Sequence, residues 1–167
     1  MDNIDCAFYF EDLNTNRKKL FEEALRGAKR GRVLYILFEE LNELPELSQE
    51  VTSLNKHYMK MITFLYVKSL NSLFESISTL PDWQSVPATI ILDDLCAYCN
   101  KNDLQNACGV VALLLNTAQC CSVSLKTATK LFISVCQRTV GDDFCNVLKE
   151  LYLKQECDNL NCTKTSS

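Results

Sequence analysis

Two stretches carry residues whose types and spacing suit chemistry. "ATIILDDLCAYC" (88–99) is an apolar run closed by Asp93, the Walker B pattern, in which a carboxylate at a strand tip helps hold magnesium, usually through water. Its partner would be a phosphate loop, and "CAFYFEDLNTNRKKLFEEAL" (6–25) stands where one belongs, between a short strand and a helix. A working loop needs glycines so that backbone N–H groups can crowd around phosphates, then a lysine, then a Ser or Thr for the cation. Here "EDLNTNRKK" has no glycine. Asn14 and Asn16 tolerate left-handed backbone less readily than glycine does. Arg17 or Lys18 falls near the lysine position, and Lys18 or Lys19 replaces the Ser or Thr. Glu11 and Asp12 would set negative charge beside a triphosphate. The spacing describes a phosphate loop that has been lost.

The same region concentrates charge. Arg17, Lys18, Lys19, Arg26, Lys29, Arg30 and Arg32 all fall within "RKKLFEEALRGAKRGR", in a chain whose net charge is −4. Such a cluster either contacts phosphates, of a nucleotide or a nucleic acid, or forms a solvated helix face. Basic residues near a helix start oppose its dipole, whereas Arg26, Lys29, Arg30 and Arg32 near its end agree with it. "FEEA" (21–24) has the Phe-x-x-Ala spacing of a docking motif, yet Phe21 shares a helical face with Leu20, Ala24, Leu25 and Ala28, the pattern of a core helix. Trp83 in "LPDWQSVP" and Tyr98 are candidates for stacking on bases. Asp94 is a candidate cap for the segment after the strand.

Cysteine and histidine chemistry finds less support. Most of the chain's 10 cysteines lie in apolar runs, where a thiol acts as a small hydrophobe. The lone CxxC at 96–99 could reach a zinc site only with Cys120, Cys121, Cys157 or Cys162 at unusual spacing, and the single histidine, His57, lies in a polar segment. No metal site is expected, and nothing pairs a thiol with His57 as a nucleophile.

These residues need elements to position them. At 167 residues, 47% hydrophobic and 23% charged, the chain suits one soluble domain. No run of roughly 18 apolar residues suggests a membrane span. "MDNIDCAFYF" is acidic and unlike a signal peptide, so an intracellular protein without membrane contact is expected. Short runs rich in aromatic and β-branched residues predict strands at 6–10, 33–38, 61–67, 88–94 and 129–137. Helices are predicted at 16–29, 47–59, 69–79, 103–121 and 142–156, the fourth apolar nearly all round. Pro45, Pro81 and Pro87 fall between elements. Alternating strands and helices predict an α/β domain, a mainly parallel sheet with helices on both faces, over residues 1–157, with a polar tail at 158–167.

"ATIILDDLCAYC" followed by "NACGVVALLLNTAQCCS", with "VLYILFEEL" and "FLYVKSLNSLFESI" as weaker matches, resembles the small RecA-like recombinase paralogues. Among these the likeness is to the kind of subunit that accompanies a SWIM-domain protein in the metazoan Shu complex. The resemblance spans roughly residues 6–137. It implies a reduced RecA-like P-loop NTPase core with a degenerate Walker A loop, in which Asp93 alone carries over from the nucleotide site. It further implies a nuclear role in homologous recombination and DNA repair, with a zinc-binding SWIM-domain protein as heterodimer partner and a recombinase filament on single-stranded DNA as target. The expected function is a non-catalytic subunit that assists filament assembly. One alternative is a divergent DNA-dependent ATPase using ATP and magnesium, with Arg17 or Lys18 on the phosphates and Asp93 on the metal. The other is an α/β interaction module with no DNA role.

Overall fold

A computed structural model describes residues 4–46 and 56–152. Its centre is a five-stranded, all-parallel sheet of β1 (Ile4–Tyr9), β2 (Val33–Leu37), β3 (Ile62–Tyr66), β4 (Thr89–Leu92) and β5 (Thr129–Ser134), in the order β1-β5-β4-β2-β3. Parallel strands require crossovers, and these are α1 (Leu13–Ala28), α2 (Lys56–Met59), α3 (Leu70–Thr79) and α4 (Leu104–Leu125). Two further helices, α5 (Gln137–Val140) and α6 (Asp142–Tyr152), follow β5. Single turns of 3₁₀ helix at Leu80–Asp82 and Leu95–Ala97 complete the described elements.

Strand residues alternate between two apolar layers, as a period of two demands. Val33, Tyr35, Leu37, Ile91 and Phe132 face α1 and α2, where Leu20, Phe21, Ala24, Leu25 and Ala28 cover them. Leu34, Ile36, Ile90, Leu92, Leu131 and Ile133 face the opposite layer of α3, α4 and α6. Phe21 and Ala24 are therefore core residues, and "FEEA" is closed to a partner. Helix α4 is long and apolar enough, by length and composition, to cross a membrane. It instead lays Val110, Val111, Leu114, Ala118 and Cys121 on the sheet. Burial makes these thiols inert: Cys99 and Cys121 are pushed up to about 11 by desolvation. Cys157 and Cys162, the tail at 158–167 and the ends of the helices predicted at 47–59 and 142–156 lie outside the described residues.

Strands and α3 fall close to their predicted positions, but α1 begins at Leu13 rather than residue 16. The cause is Asp12. Its Oδ1 accepts from the Thr15 backbone N–H at 3.1 Å and its Oδ2 from the Thr15 hydroxyl at 2.6 Å, an N-cap that winds the helix early. Asn14, expected in a loop, is helical, and Asn16 lies inside the helix rather than at its start. Helix α4 runs on to Leu125, ended by Lys126 in left-handed backbone at φ 56°.

Candidate functional site at the carboxyl end of the sheet

All strands point the same way, so their carboxyl ends share one edge of the domain. Neighbours β2 and β4 send their following helices to opposite faces, and ligands in open α/β sheets favour the crevice such a divergence opens. Here that crevice is a cavity of about 270 Å³ lined by Leu13, Arg17, Phe38, Glu39, Asp93, Asp94 and Ala97. It is smaller than the roughly 300–1,000 Å³ of small-molecule sites. A groove of about 690 Å³ continues from it, walled by Asn14, Arg17, Lys18 and residues 39–46.

Between β1 and α1 only Phe10, Glu11 and Asp12 remain. They are tied down by Asn16, which is wholly buried. Its Oδ1 accepts from the Glu11 N–H at 3.1 Å, while its Nδ2 donates to the carbonyls of Glu11 at 3.1 Å and Val135 at 3.3 Å. Two N–H groups at the helix start are already bonded within the chain. Thr15 donates to Asp12, and Asn16 donates to the Asp12 carbonyl at 2.9 Å. Hydrogen bonds from the Thr15 hydroxyl and backbone hold the Asp12 carboxyl below its ordinary value, so the helix start carries its own anion.

Arg17, one turn further in, reaches the other sequence-predicted residue. Its Nε donates to Asp93 Oδ2 at 2.9 Å, with side-chain exposures of 27% and 1%. Burial raises the Asp93 carboxyl to about 6, outweighing the guanidinium that pulls it down, and Asp94 adds to the rise. Asp93 Oδ1 and the Tyr35 hydroxyl are both buried without a hydrogen-bond partner. Desolvation and the Asp93 charge together push the Tyr35 phenol well up. Asp94, at φ 58°, does cap the next segment: its Oδ1 accepts from the N–H of Cys96 at 3.1 Å and of Cys136 at 3.4 Å.

The rest of the basic cluster is dispersed. Lys18 lines the acidic groove opposite Glu39, Glu40, Glu43 and Glu46. Lys19 pairs with Glu11 and lies 5.7 Å over the Tyr9 ring. Arg26 pairs with Glu23 at 2.7 Å and Glu22 at 3.8 Å. Lys29, Arg30 and Arg32 are exposed at the far end of the domain, with no carboxylate partner among the described residues. Tyr98 is buried and its hydroxyl donates to the Val67 carbonyl at 2.9 Å, so it presents no stacking face, whereas Trp83 is half-buried at the edge of a cavity. His57 is exposed on α2.

ATP and magnesium fit this arrangement poorly. The loop is too short to wrap phosphates, its Glu11 N–H and the Thr15 N–H are already bonded to side chains, the groove rim is carboxylate, and Asp93 already has a cation on it. Among the described residues no three metal-ligating side chains cluster. The loop-tying role of Asn16 and the place of Tyr35 beside Asp93 were not legible in the sequence, since nothing local distinguishes a buried Asn or a strand Tyr beside a carboxylate. Neither a protein-family model nor a curated protein matches the chain.

Proposed function

We propose that the chain is a reduced RecA-like core working as a non-catalytic subunit of a Shu-type complex. It pairs with a SWIM-domain zinc-binding protein and assists assembly of a recombinase filament on single-stranded DNA, in the nucleus. The observation that carries the non-catalytic part is the Arg17–Asp93 pair: the side chain nearest the phosphate-loop lysine position is spent neutralising the Walker B-like acid. Support for the scaffold comes from the sheet. Strand β5 lies between the strand before the degenerate loop and the strand ending at Asp93, an order consistent with a RecA-like core. The complex, its partners and the compartment rest on the sequence resemblance.

The test is a thermal-shift titration with ATP and magnesium, on the chain alone and with the SWIM-domain partner, beside an assay of filament assembly on single-stranded DNA. The expected result is no nucleotide-dependent shift, and filament assembly stimulated equally with and without ATP binding by this subunit. A rise in melting temperature abolished by Asp93→Asn would show that nucleotide binds and move the ATPase alternative to the front, with phosphate release to decide hydrolysis. A stable heterodimer with no effect on filaments would leave the interaction module.

A further inference from the structure

The end of the sheet opposite the cavity has the reverse electrostatics. Segments entering the strands carry Lys29, Arg30 and Arg32 before β2, Lys60 before β3 and Lys126 before β5, all exposed. None has a carboxylate partner among the described residues. Of the acids there, Asp5 is paired with Lys130 at 2.9 Å and Asp82 is exposed. Segments leaving the strands instead carry Glu11, Asp12, Glu39, Glu40, Glu43, Glu46, Asp93 and Asp94. Lys68, Lys101 and Arg138 also follow strands, but among the described residues cations outnumber acids only at the entrance end of this net acidic chain.

Backbone hydrogen bonds join these entrances side by side. Val33 N–H donates to the Met61 carbonyl at 2.9 Å, Ala88 N–H to the Arg32 carbonyl at 2.9 Å, and Lys130 N–H to the Ala88 carbonyl at 3.0 Å. Lys60, Arg32 and the β5 entrance therefore follow one another across the sheet at strand spacing, about 4.8 Å per strand. Gly31 allows this closeness, since a Cβ there would lie 2.9 Å from that of Ala88. Arg32 also lines a cavity of about 370 Å³ with Trp83, Gln84, Ser85 and Pro87, floored by Val33, Leu34 and Thr63. An indole and a guanidinium around one open cavity, beside a row of exposed cations, suit a base stacked among charges that hold its backbone.

We propose that this amino-terminal end of the sheet binds single-stranded nucleic acid, with Lys29, Arg30, Arg32, Lys60 and Lys126 on phosphates and a base against Trp83. The inference takes its nucleic-acid partner from the function proposed above and gives it a site far from the lost nucleotide pocket. An acidic protein or an anionic membrane would draw on the same cations and the same indole, and each is an arm of the test below.

Trp83 is the chain's only tryptophan, so its fluorescence reports on this cavity alone. The full chain is titrated with a labelled oligothymidine of about 20 nucleotides, following anisotropy and Trp83 emission at several salt concentrations. Binding should quench Trp83, with a log–log salt slope that flattens by about 2 in the triple variant Arg30→Ala/Arg32→Ala/Lys60→Ala, at roughly 0.7 per phosphate contact. That variant should bind at least tenfold more weakly, Trp83→Phe should retain most affinity, and Lys101→Ala at the opposite end should change nothing. Melting temperatures confirm that each variant is folded. Absence of binding, binding without quenching, or undiminished binding by the folded triple variant would each overturn the site. So would equal affinity for polyglutamate or for phosphatidylserine vesicles. Oligonucleotide binding without any effect on recombinase filaments would leave this site standing and remove the recombination role.

Discussion

Arg17 Nε lies 2.9 Å from Asp93 Oδ2, joining a helix and a strand end that are 76 residues apart in sequence. The pair lines the crevice that the sheet's topology opens and puts its own ion pair there. Replacing Arg17 by Met leaves a buried carboxylate with no cation and should cost about 3 kcal/mol near pH 8. The double variant Arg17→Met/Asp93→Leu should recover most of that loss, because both desolvation costs go with the charges. Equilibrium urea unfolding measures both; an unchanged single variant would mean the pair contributes nothing.

The Asp93 carboxyl makes stability depend on pH with an unusual sign. Its folded value, about 6, is above its ordinary 3.8, so between these the folded state holds a proton the unfolded state has released. Stability from this group therefore falls as pH rises through that window, by up to about 3 kcal/mol. Asp12, shifted the other way, loses its contribution only as pH falls below the ordinary range. Unfolding free energies of the protein and of Asp93→Asn at pH 4 and pH 7.5 separate the two, since Asp12 is common to both. The variant should gain on the parent as pH rises, and a constant difference would refute the assignment.

Tyr35 offers a second measure of the same interior. Its buried hydroxyl has no hydrogen-bond partner, so Tyr35→Phe should be neutral or stabilising by about 1 kcal/mol. A clear loss of stability in chemical denaturation would contradict this.

Gly27 separates helix propensity from packing. Alanine is the better helix former by about 1 kcal/mol. A Cβ at this position, however, would sit 2.7 Å from Thr89 Oγ1 and 3.2 Å from Val33 Cγ2, pushing α1 off the start of β4. Overpacking should win, and Gly27→Ala should lose about 1–3 kcal/mol by thermal or urea unfolding.

Alkylation reads the thiols. With Cys99 and Cys121 raised to about 11, their thiolate fractions at pH 8 are minute. Timed iodoacetamide labelling with peptide mass spectrometry should find both reacting at least a hundredfold more slowly in native than in urea-unfolded protein.

The sequence by itself determined the parallel α/β architecture, because apolar runs of strand length alternating with helical periods leave few other ways to bury both faces. It also showed a stretch without glycine where a phosphate loop would stand, and glycine is the residue that most readily lets backbone crowd around phosphates. The early start of α1 was legible too, in Asp12 three residues before Thr15, but a loop was assumed there by analogy with a phosphate site. Only the tertiary structure decided where the charges go. Seven neighbouring cations look like one cluster in sequence, yet a helix runs the height of the sheet, so Arg17 meets Asp93 at one end while Arg32 lines a cavity with Trp83 at the other. Strand order then gathers Lys60 and Lys126 from distant segments, a juxtaposition set by hydrogen-bonded register that no local pattern encodes.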